Sequence, residues 1–223
     1  MANNVDKVNG IAIADIQTIN GITDDNLQAL NSEEFTGTPP DAHTLISTHT
    51  ASSSATLDIT SGIDSTYDAY EFRFTNMHPA TDHVDFQFQI NAAGASGFNE
   101  TITSTYFEAY LREDNGNSAL TYRDNDQAQG TAYQDLSRDT SNDSDSGANG
   151  TLTLYAPSST TYVKHFTVTT ADMQHQDSYA AYARQTMVAG YINTTSAIDE
   201  ISFKFDSGNI DAGEIKMYGI ATS

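Results

Sequence analysis

Six histidines and thirty Asp and Glu are the side chains here that could bind a metal or move a proton, and their spacing decides which chemistry is open to them. His43, His49, His78, His83, His165 and His175 form no H-x-H pair and no H-E-x-x-H motif, so a zinc site would have to be assembled entirely by folding. Ser and Thr are abundant, but no G-x-S-x-G elbow places a nucleophile and no linked Ser-His-Asp pattern prepares a base for one. The run from Arg138 to Gly150 is rich in the oxygen donors a hard cation takes, which makes Asp139, Asp143 and Asp145 candidates for a calcium loop. The run misses the EF-hand register. With Gly147 at the sixth position, Asn142, Ser144 and Ser146 fall at the first, third and fifth, and no Glu follows at the twelfth. A solvated loop is the preferred reading, here and at Asp124-Asn125-Asp126 and Glu113-Asp114-Asn115-Gly116. Paired carboxylates cleave glycosides, yet among thirty acids the sequence singles out no pair. Without cysteine there is no thiolate nucleophile, thiolate metal site or disulfide. The expectation is a non-enzymatic protein that needs no cofactor, calcium being the single candidate.

Binding is the other chemistry available. Twelve tyrosines and no tryptophan supply rings whose hydroxyls must find water or a partner. Tyr110, Tyr122, Tyr133, Tyr155, Tyr179 and Tyr182 are candidates for a sugar-binding face or an oligomer seam, against the plainer reading of core-edge tyrosines. Charge narrows the partners. Nine Lys and Arg against thirty Asp and Glu give a formal net charge of −21, which repels phosphate backbones and anionic membranes, so neither nucleic acid nor membrane is expected. No apolar stretch approaches the roughly 20 residues that span a bilayer, and Met1 to Lys7 has neither a basic nor an apolar leader region. The chain is expected to be made and kept in a cytosol.

The elements that must position these groups fall into three parts. Residues 1–36 repeat at an offset of eleven: Val5-Asp6-Lys7-Val8-Asn9-Gly10, Ile16-Gln17-Thr18-Ile19-Asn20-Gly21 and Leu27-Gln28-Ala29-Leu30-Asn31-Ser32, with Ile11 and Ile22 extending the first two copies. Asn-Gly favours turns with positive φ and breaks a continuous helix, so the repeat predicts short strands or turns with Asn-Gly corners. Units this small cannot bury their own apolar stripe. Val5, Val8, Ile11, Ile16, Ile19, Ile22, Leu27 and Leu30 are therefore assigned to docking or assembly, in an arm expected to order only on assembly. Residues 37–55, with Gly37, Pro39, Pro40 and a Ser/Thr run, read as a linker. From residue 56 to 223 the pattern has period two: Tyr70, Phe72 and Phe74, then Val84, Phe86, Phe88 and Ile90, alternate with polar residues. Strands are predicted at 57–60, 70–75, 84–90, 106–112, 119–123, 151–155, 162–169, 186–192, 198–205 and 214–220. Roughly ten short strands without an amphipathic helix predict an all-β antiparallel sandwich or jelly roll, with Phe72, Phe74, Phe86, Phe88, Phe166, Phe203 and Phe205 in its core.

Several stretches together resemble structural proteins of tailed bacteriophages, especially those of marine cyanobacteria. They are IDSTYDAYEFRFTNMHPATD from Ile63 to Asp82, ETITSTYF from Glu100 to Phe107, DQAQGTAYQ from Asp126 to Gln134, PSSTTYVKHF from Pro157 to Phe166, VAGYINTTSAI from Val188 to Ile198, and FDSGNIDAGEIKMYGI from Phe205 to Ile220. The Asn-Gly repeats of the arm are also similar to leaders of phage virion proteins. The resemblance implies a virion component on the particle surface, a capsid decoration or a tail appendage or fibre component, made in the bacterial host cytoplasm. It implies a homo-oligomer, with a trimer favoured, among other virion proteins, and carries over no catalytic or ligand residues. The alternative is an adhesin module that recognises a host surface glycan through tyrosines and Asp/Asn loops.

Overall fold

The computed structural model describes residues 43–176 and 179–220, together with six two-residue strands in the first 42 residues. The chain divides into two units between Ala42 and His43, each described by itself.

In the first unit Lys7–Val8 pairs antiparallel with Ile11–Ala12, Thr18–Ile19 with Ile22–Thr23, and Ala29–Leu30 with Glu33–Glu34. Two residues separate the strands of each pair, and in sequence they are Asn9-Gly10, Asn20-Gly21 and Asn31-Ser32, the kinds that two-residue hairpins favour. The repeat is thus a row of minimal hairpins. Val8 faces Ile11 and Ile19 faces Ile22 across their ladders, while Leu30 stands opposite Glu33. Val5, Ile16 and Leu27 lie outside the described residues.

The second unit is all-β, with thirteen antiparallel strands in two sheets. In chain order they are β1 His43–Ser54, β2 Leu57–Ile59, β3 Ala69–Pro79, β4 Val84–Ala92, β5 Ile102–Arg112, β6 Ser118–Tyr122, β7 Ala128–Gly130, β8 Gln134–Thr140, β9 Ala148–Tyr155, β10 Lys164–Gln176, β11 Tyr179–Ile192, β12 Ile198–Phe205 and β13 Ile210–Ile220. A four-stranded sheet runs β8-β4-β12-β2, and a nine-stranded sheet runs β6-β5-β11-β10-β9-β3-β13-β1 with β7 paired to β5. Between them lies the core predicted from period two. Phe72, Phe74, Phe86, Phe88, Phe166, Phe203 and Phe205 are all buried, and the Phe86 ring stands 5.4 Å from Phe74, 5.2 Å from Phe205 and 6.0 Å from Phe203. Phe88 meets Phe166 edge-on at 5.0 Å, tying the small sheet to the large one. Removing one such ring costs about 3–5 kcal/mol.

Three differences from the sequence reading have physical causes. Residues 43–54, expected as linker, form an edge strand along β13. Only Ala51 in it is buried, so a Ser/Thr sequence suffices and period two is never imposed. Strand β8 departs from the sequence reading because Leu136 is its single buried apolar residue and the other inward ones, Gln134, Ser137 and Thr140, are polar. Their burial is satisfied locally: Ser104 Oγ donates to Gln134 Oε1 at 2.6 Å, and the Ser137 and Thr140 hydroxyls lie 2.9 Å apart. Strands β10 and β11 run well past their predicted ends. Their inward residues change from Phe166, Val168 and Val188 to Thr170, Asp172, Gln174, Arg184 and Thr186, which hides the strand pattern.

Candidate functional site

That change from apolar to polar marks a cleft. On the inward face of the large sheet, β5 places Glu108 and Tyr110, β11 places Tyr182 and Arg184, and β10 places Asp172 and Gln174. Arg123, just after β6, and Arg138 of β8 close over them, so Arg138 crosses from the small sheet to the large one. Three of the chain's nine cationic side chains gather here. Arg123 donates from Nε to Glu108 Oε1 at 2.7 Å, and Arg138 Nη2 reaches the same oxygen at 3.3 Å. Arg184 grips Asp172 with two parallel bonds, Nε to Oδ1 at 3.1 Å and Nη2 to Oδ2 at 2.5 Å, while its Nη1 lies 3.3 Å from Gln174 Oε1 and 4.0 Å from Glu108 Oε2. Asp139 accepts from Arg138 Nη1 and from Gln174 Nε2. Burial pushes the Asp172 carboxyl above its usual range against the pull of Arg184. At Arg138 burial is outweighed by Asp139 and Glu108, and the guanidinium is held above its ordinary value. The cleft has a volume of about 160 Å³, and the Tyr110 and Tyr182 rings in its lining pack edge to face on one another at 5.8 Å.

The opposite face of the same sheet is a second feature. Register places Thr103, Thr105, Phe107, Ala109 and Leu111 of β5 in line with Tyr122, Leu120 and Ser118 of β6 on one side and with Tyr191, Ala189, Met187, Gln185 and Ala183 of β11 on the other. The rows continue through His165, Thr167, Thr169, Ala171 and Met173 of β10 to Thr153, Thr151 and Asn149 of β9, with Tyr155 beyond. None of these outward residues is Asp, Glu, Lys or Arg, in a chain with 39 of them. Five of the seven large hydrophobic side chains exposed among the described residues, Leu111, Leu120, Tyr122, Tyr155 and Met187, stand on this face. Charge returns only on β3 and β13, where Glu71, Arg73, Glu214 and Lys216 point outward.

The tyrosines named from sequence therefore separate. Tyr110 and Tyr182 line the cleft, Tyr122 and Tyr155 stand on the uncharged face, and Tyr133 lies against the small sheet, its hydroxyl donating to Ser202 Oγ at 3.1 Å under Lys204 Nζ. Tyr179 begins β11. The calcium candidates do not converge. Asp139 is engaged by Arg138 and Gln174, Asp145 lines a wide open depression near His78 and Asp211, and among the described residues no three His, Asp or Glu are grouped to hold a metal ion. Carboxylates do gather elsewhere. Asp85 accepts the Asp139 backbone N–H at 2.7 Å, Asn125 Nδ2 bonds Asp135 at 2.7 Å, and Asp206 accepts the Asp85 N–H at 2.9 Å. Burial, then the charge of Asp135, pushes the Asp85 carboxyl up to about 7. No protein-family model, curated protein or solved structure matches the chain.

Proposed function

We propose that this chain is a non-enzymatic structural protein of a tailed-bacteriophage virion, displayed on the particle surface as a capsid decoration or tail component. In this reading the sandwich assembles with its own copies and the arm attaches it to other virion proteins. The observation that carries self-assembly is the uncharged outer face. Copies bearing a net charge of −21 repel one another wherever acidic surfaces approach, and five adjacent strands offer a region where that repulsion is absent. Strands about 4.8 Å apart and rising about 3.4 Å per residue give this region a flat area of roughly 700 Å², close to the roughly 800 Å² per partner of a stable interface. A second copy is the fitting occupant, because the face is neutral and its exposed Leu, Met and Tyr gain from mutual burial. Two-fold packing joins this face to itself, whereas the three-fold assembly favoured from sequence sets it against another patch of the neighbour. Placement on a virion rests on the resemblance of the main-domain stretches, and the hairpin row of the arm suits attachment because such short units need an external surface.

Light scattering during size exclusion tests the assembly. The full chain is expected to elute as one closed oligomer, and the double substitution Leu120→Glu and Met187→Glu to elute as a folded monomer, since it places one acid at the centre of the face, on β11, and another at its β6 edge. A monomeric wild-type chain, or a double variant of unchanged mass, overturns this reading of the face.

A further inference from the structure

We infer that assembly through the uncharged face is gated by ionic strength, and that four acids on its rim, Asp68, Glu113, Asp124 and Asp145, are the gate. The inference rests on the assembly reading above and names what controls it. Three observations carry it.

First, the four acids stand where the face ends, and all four are exposed. Glu113 lies just past Leu111, in the turn from β5 to β6, with its backbone N–H donating to Ala181 O at 2.9 Å. Asp124 comes two residues after Tyr122, at the other end of β6. Asp145 precedes β9 and lines one open depression with Asn149, Ala171 and Met173 of the face. Asp68 precedes β3, and its carbonyl accepts the N–H of Ala156, next to Tyr155, at 2.6 Å. Two of them are thus on the β6 side of the face and two on the β9 side, towards opposite ends of the strands.

Second, these acids are uncompensated, whereas most other charges near them cancel. Among the described residues none of the four carboxylates makes a hydrogen bond or an ion pair. On β3 and β13, by contrast, Glu71 pairs with Arg73 and Glu214 with Lys216, and in the β5–β6 turn Arg112 holds Asp114 at 2.6 Å. Asp126, which accepts the Tyr122 hydroxyl, adds its charge beside Asp124. Repulsion between two copies is therefore concentrated on the rim.

Third, the distances put this repulsion within reach of salt. With strands about 4.8 Å apart and about 3.4 Å of rise per residue, the rim lies roughly 10–20 Å from Met187 at the centre of the face. Sheets packed face to face stand about 10 Å apart, so the contact that joins two faces also brings rim towards rim. A two-fold axis running along the strands sets Glu113 of one copy opposite Asp145 of the other. An axis running across them sets Asp145 opposite Asp68 and brings Glu113 towards Asp124. Either way acid meets acid. Charges interact over about 30 Å at 0.01 M salt and about 8 Å at 0.15 M. Low salt leaves the rim repulsion in force and higher salt removes it, while the uncharged centre carries no charge to screen.

The test is sedimentation velocity of the full-length protein in sodium chloride from about 10 mM to about 500 mM, with the dissociation constant read from a dilution series. Wild type is expected to associate at least about tenfold more tightly at the high end than at the low end. Glu113→Gln with Asp124→Asn removes two rim charges and is expected to tighten association at least about threefold at low salt and to flatten the salt dependence. Asp58→Asn with Glu200→Gln removes as much charge from the outer side of the small sheet, where the amide oxygens still accept from Ser202 and Asn91, and is expected to follow wild type. The general effect of salt on apolar burial acts on all three proteins alike, so the difference between the two double variants reports the rim. The inference is overturned if wild type associates equally at every salt concentration, or if the remote double variant tightens association as much as the rim one does. An oligomer that ignores salt but is dispersed by Leu120→Glu with Met187→Glu removes the gate and leaves the face in place; a monomer at every salt concentration removes both.

Discussion

Replacing Asp85 with asparagine probes whether the carboxylates between β4, β8 and β12 hold a proton near neutral pH. Burial, followed by the charge of Asp135 and, more weakly, of Asp206 and Asp139, lifts the Asp85 carboxyl from 3.8 to about 7. A folded-state value above the unfolded one means that the native chain binds the extra proton. Below about pH 4 both states are protonated and the group contributes no difference; from about pH 4 to about pH 7 stability falls as pH rises, and above that the whole penalty remains. A shift of roughly three units at 1.36 kcal/mol each amounts to about 4 kcal/mol, which partial contact with water reduces to about 2 kcal/mol. Asparagine keeps the acceptor for the Asp139 N–H, loses only the long 3.5 Å contact from Asn125 Nδ2, and removes the charge that Asp135 opposes. Asp85→Asn is therefore expected to match wild type near pH 4 and to exceed it near pH 8 by about 2 kcal/mol, or roughly 4–8 °C in Tm for a domain of this size. Thermal melts of both proteins at several pH values measure the difference, and taking the difference cancels the general self-repulsion of an acidic chain. A variant no more stable than wild type near pH 8, or an offset that does not vary with pH, would refute the argument.

Two further perturbations follow from the packing. Glu108→Ala withdraws the carboxylate that Arg123 and Arg138 share and should cost about 3–5 kcal/mol in urea denaturation, with Glu108→Gln costing less because its amide oxygen still accepts; equal stability of wild type and Glu108→Ala would show that the network does not hold the cleft together. A chain starting at His43 should fold like the full-length protein, whereas one starting at Ala55 lacks β1, bares the β13 edge and should aggregate or be readily cleaved in limited proteolysis. If the shorter chain is monomeric with an unchanged melting temperature, β1 is dispensable.

How much of this could be read from the sequence depends on which side of a strand has to be apolar. Strands β3, β4 and β12 pack phenylalanines between two sheets, so their alternation survives in the sequence and the core aromatic residues could be named. Strand β1 covers an edge, and β8 buries one leucine, Leu136, beside an amide and two hydroxyls, so neither leaves a hydrophobic period to read. The ends of β10 and β11 were lost for the same reason, and they are the parts that form the cleft. Arg123, Arg138, Arg184, Glu108 and Asp172 are scattered over 77 positions in sequence and converge only through the β5–β11–β10 pairing. One signal was present: in a chain with nine cationic side chains, Arg184 lies in the middle of an otherwise uncharged strand, a place where an arginine is retained only if a carboxylate meets it.

The uncharged face illustrates the limit of single-strand reading more sharply. Taken alone, Thr103-Ser104-Thr105, Thr151-Leu152-Thr153 and Thr167-Val168-Thr169 are ordinary β sequences with hydroxyls toward water, and nothing in any one of them suggests an interface. The property arises from adjacency. Thr103, Tyr191 and His165 form one row across β5, β11 and β10, Phe107, Met187 and Thr169 another, and only when the rows are laid side by side does the absence of charge over five strands appear. On the outer surface of this sheet charge is confined to the flanking turns and to β3 and β13, where Glu71 pairs with Arg73 and Glu214 with Lys216, so acids in turns such as Glu113-Asp114 and Asp124-Asn125-Asp126 would border such an interface and confine association to one patch. An acidic chain with charge excluded from one broad face is suited to closed assembly rather than indiscriminate aggregation, since a misaligned copy would bring like-charged surfaces together.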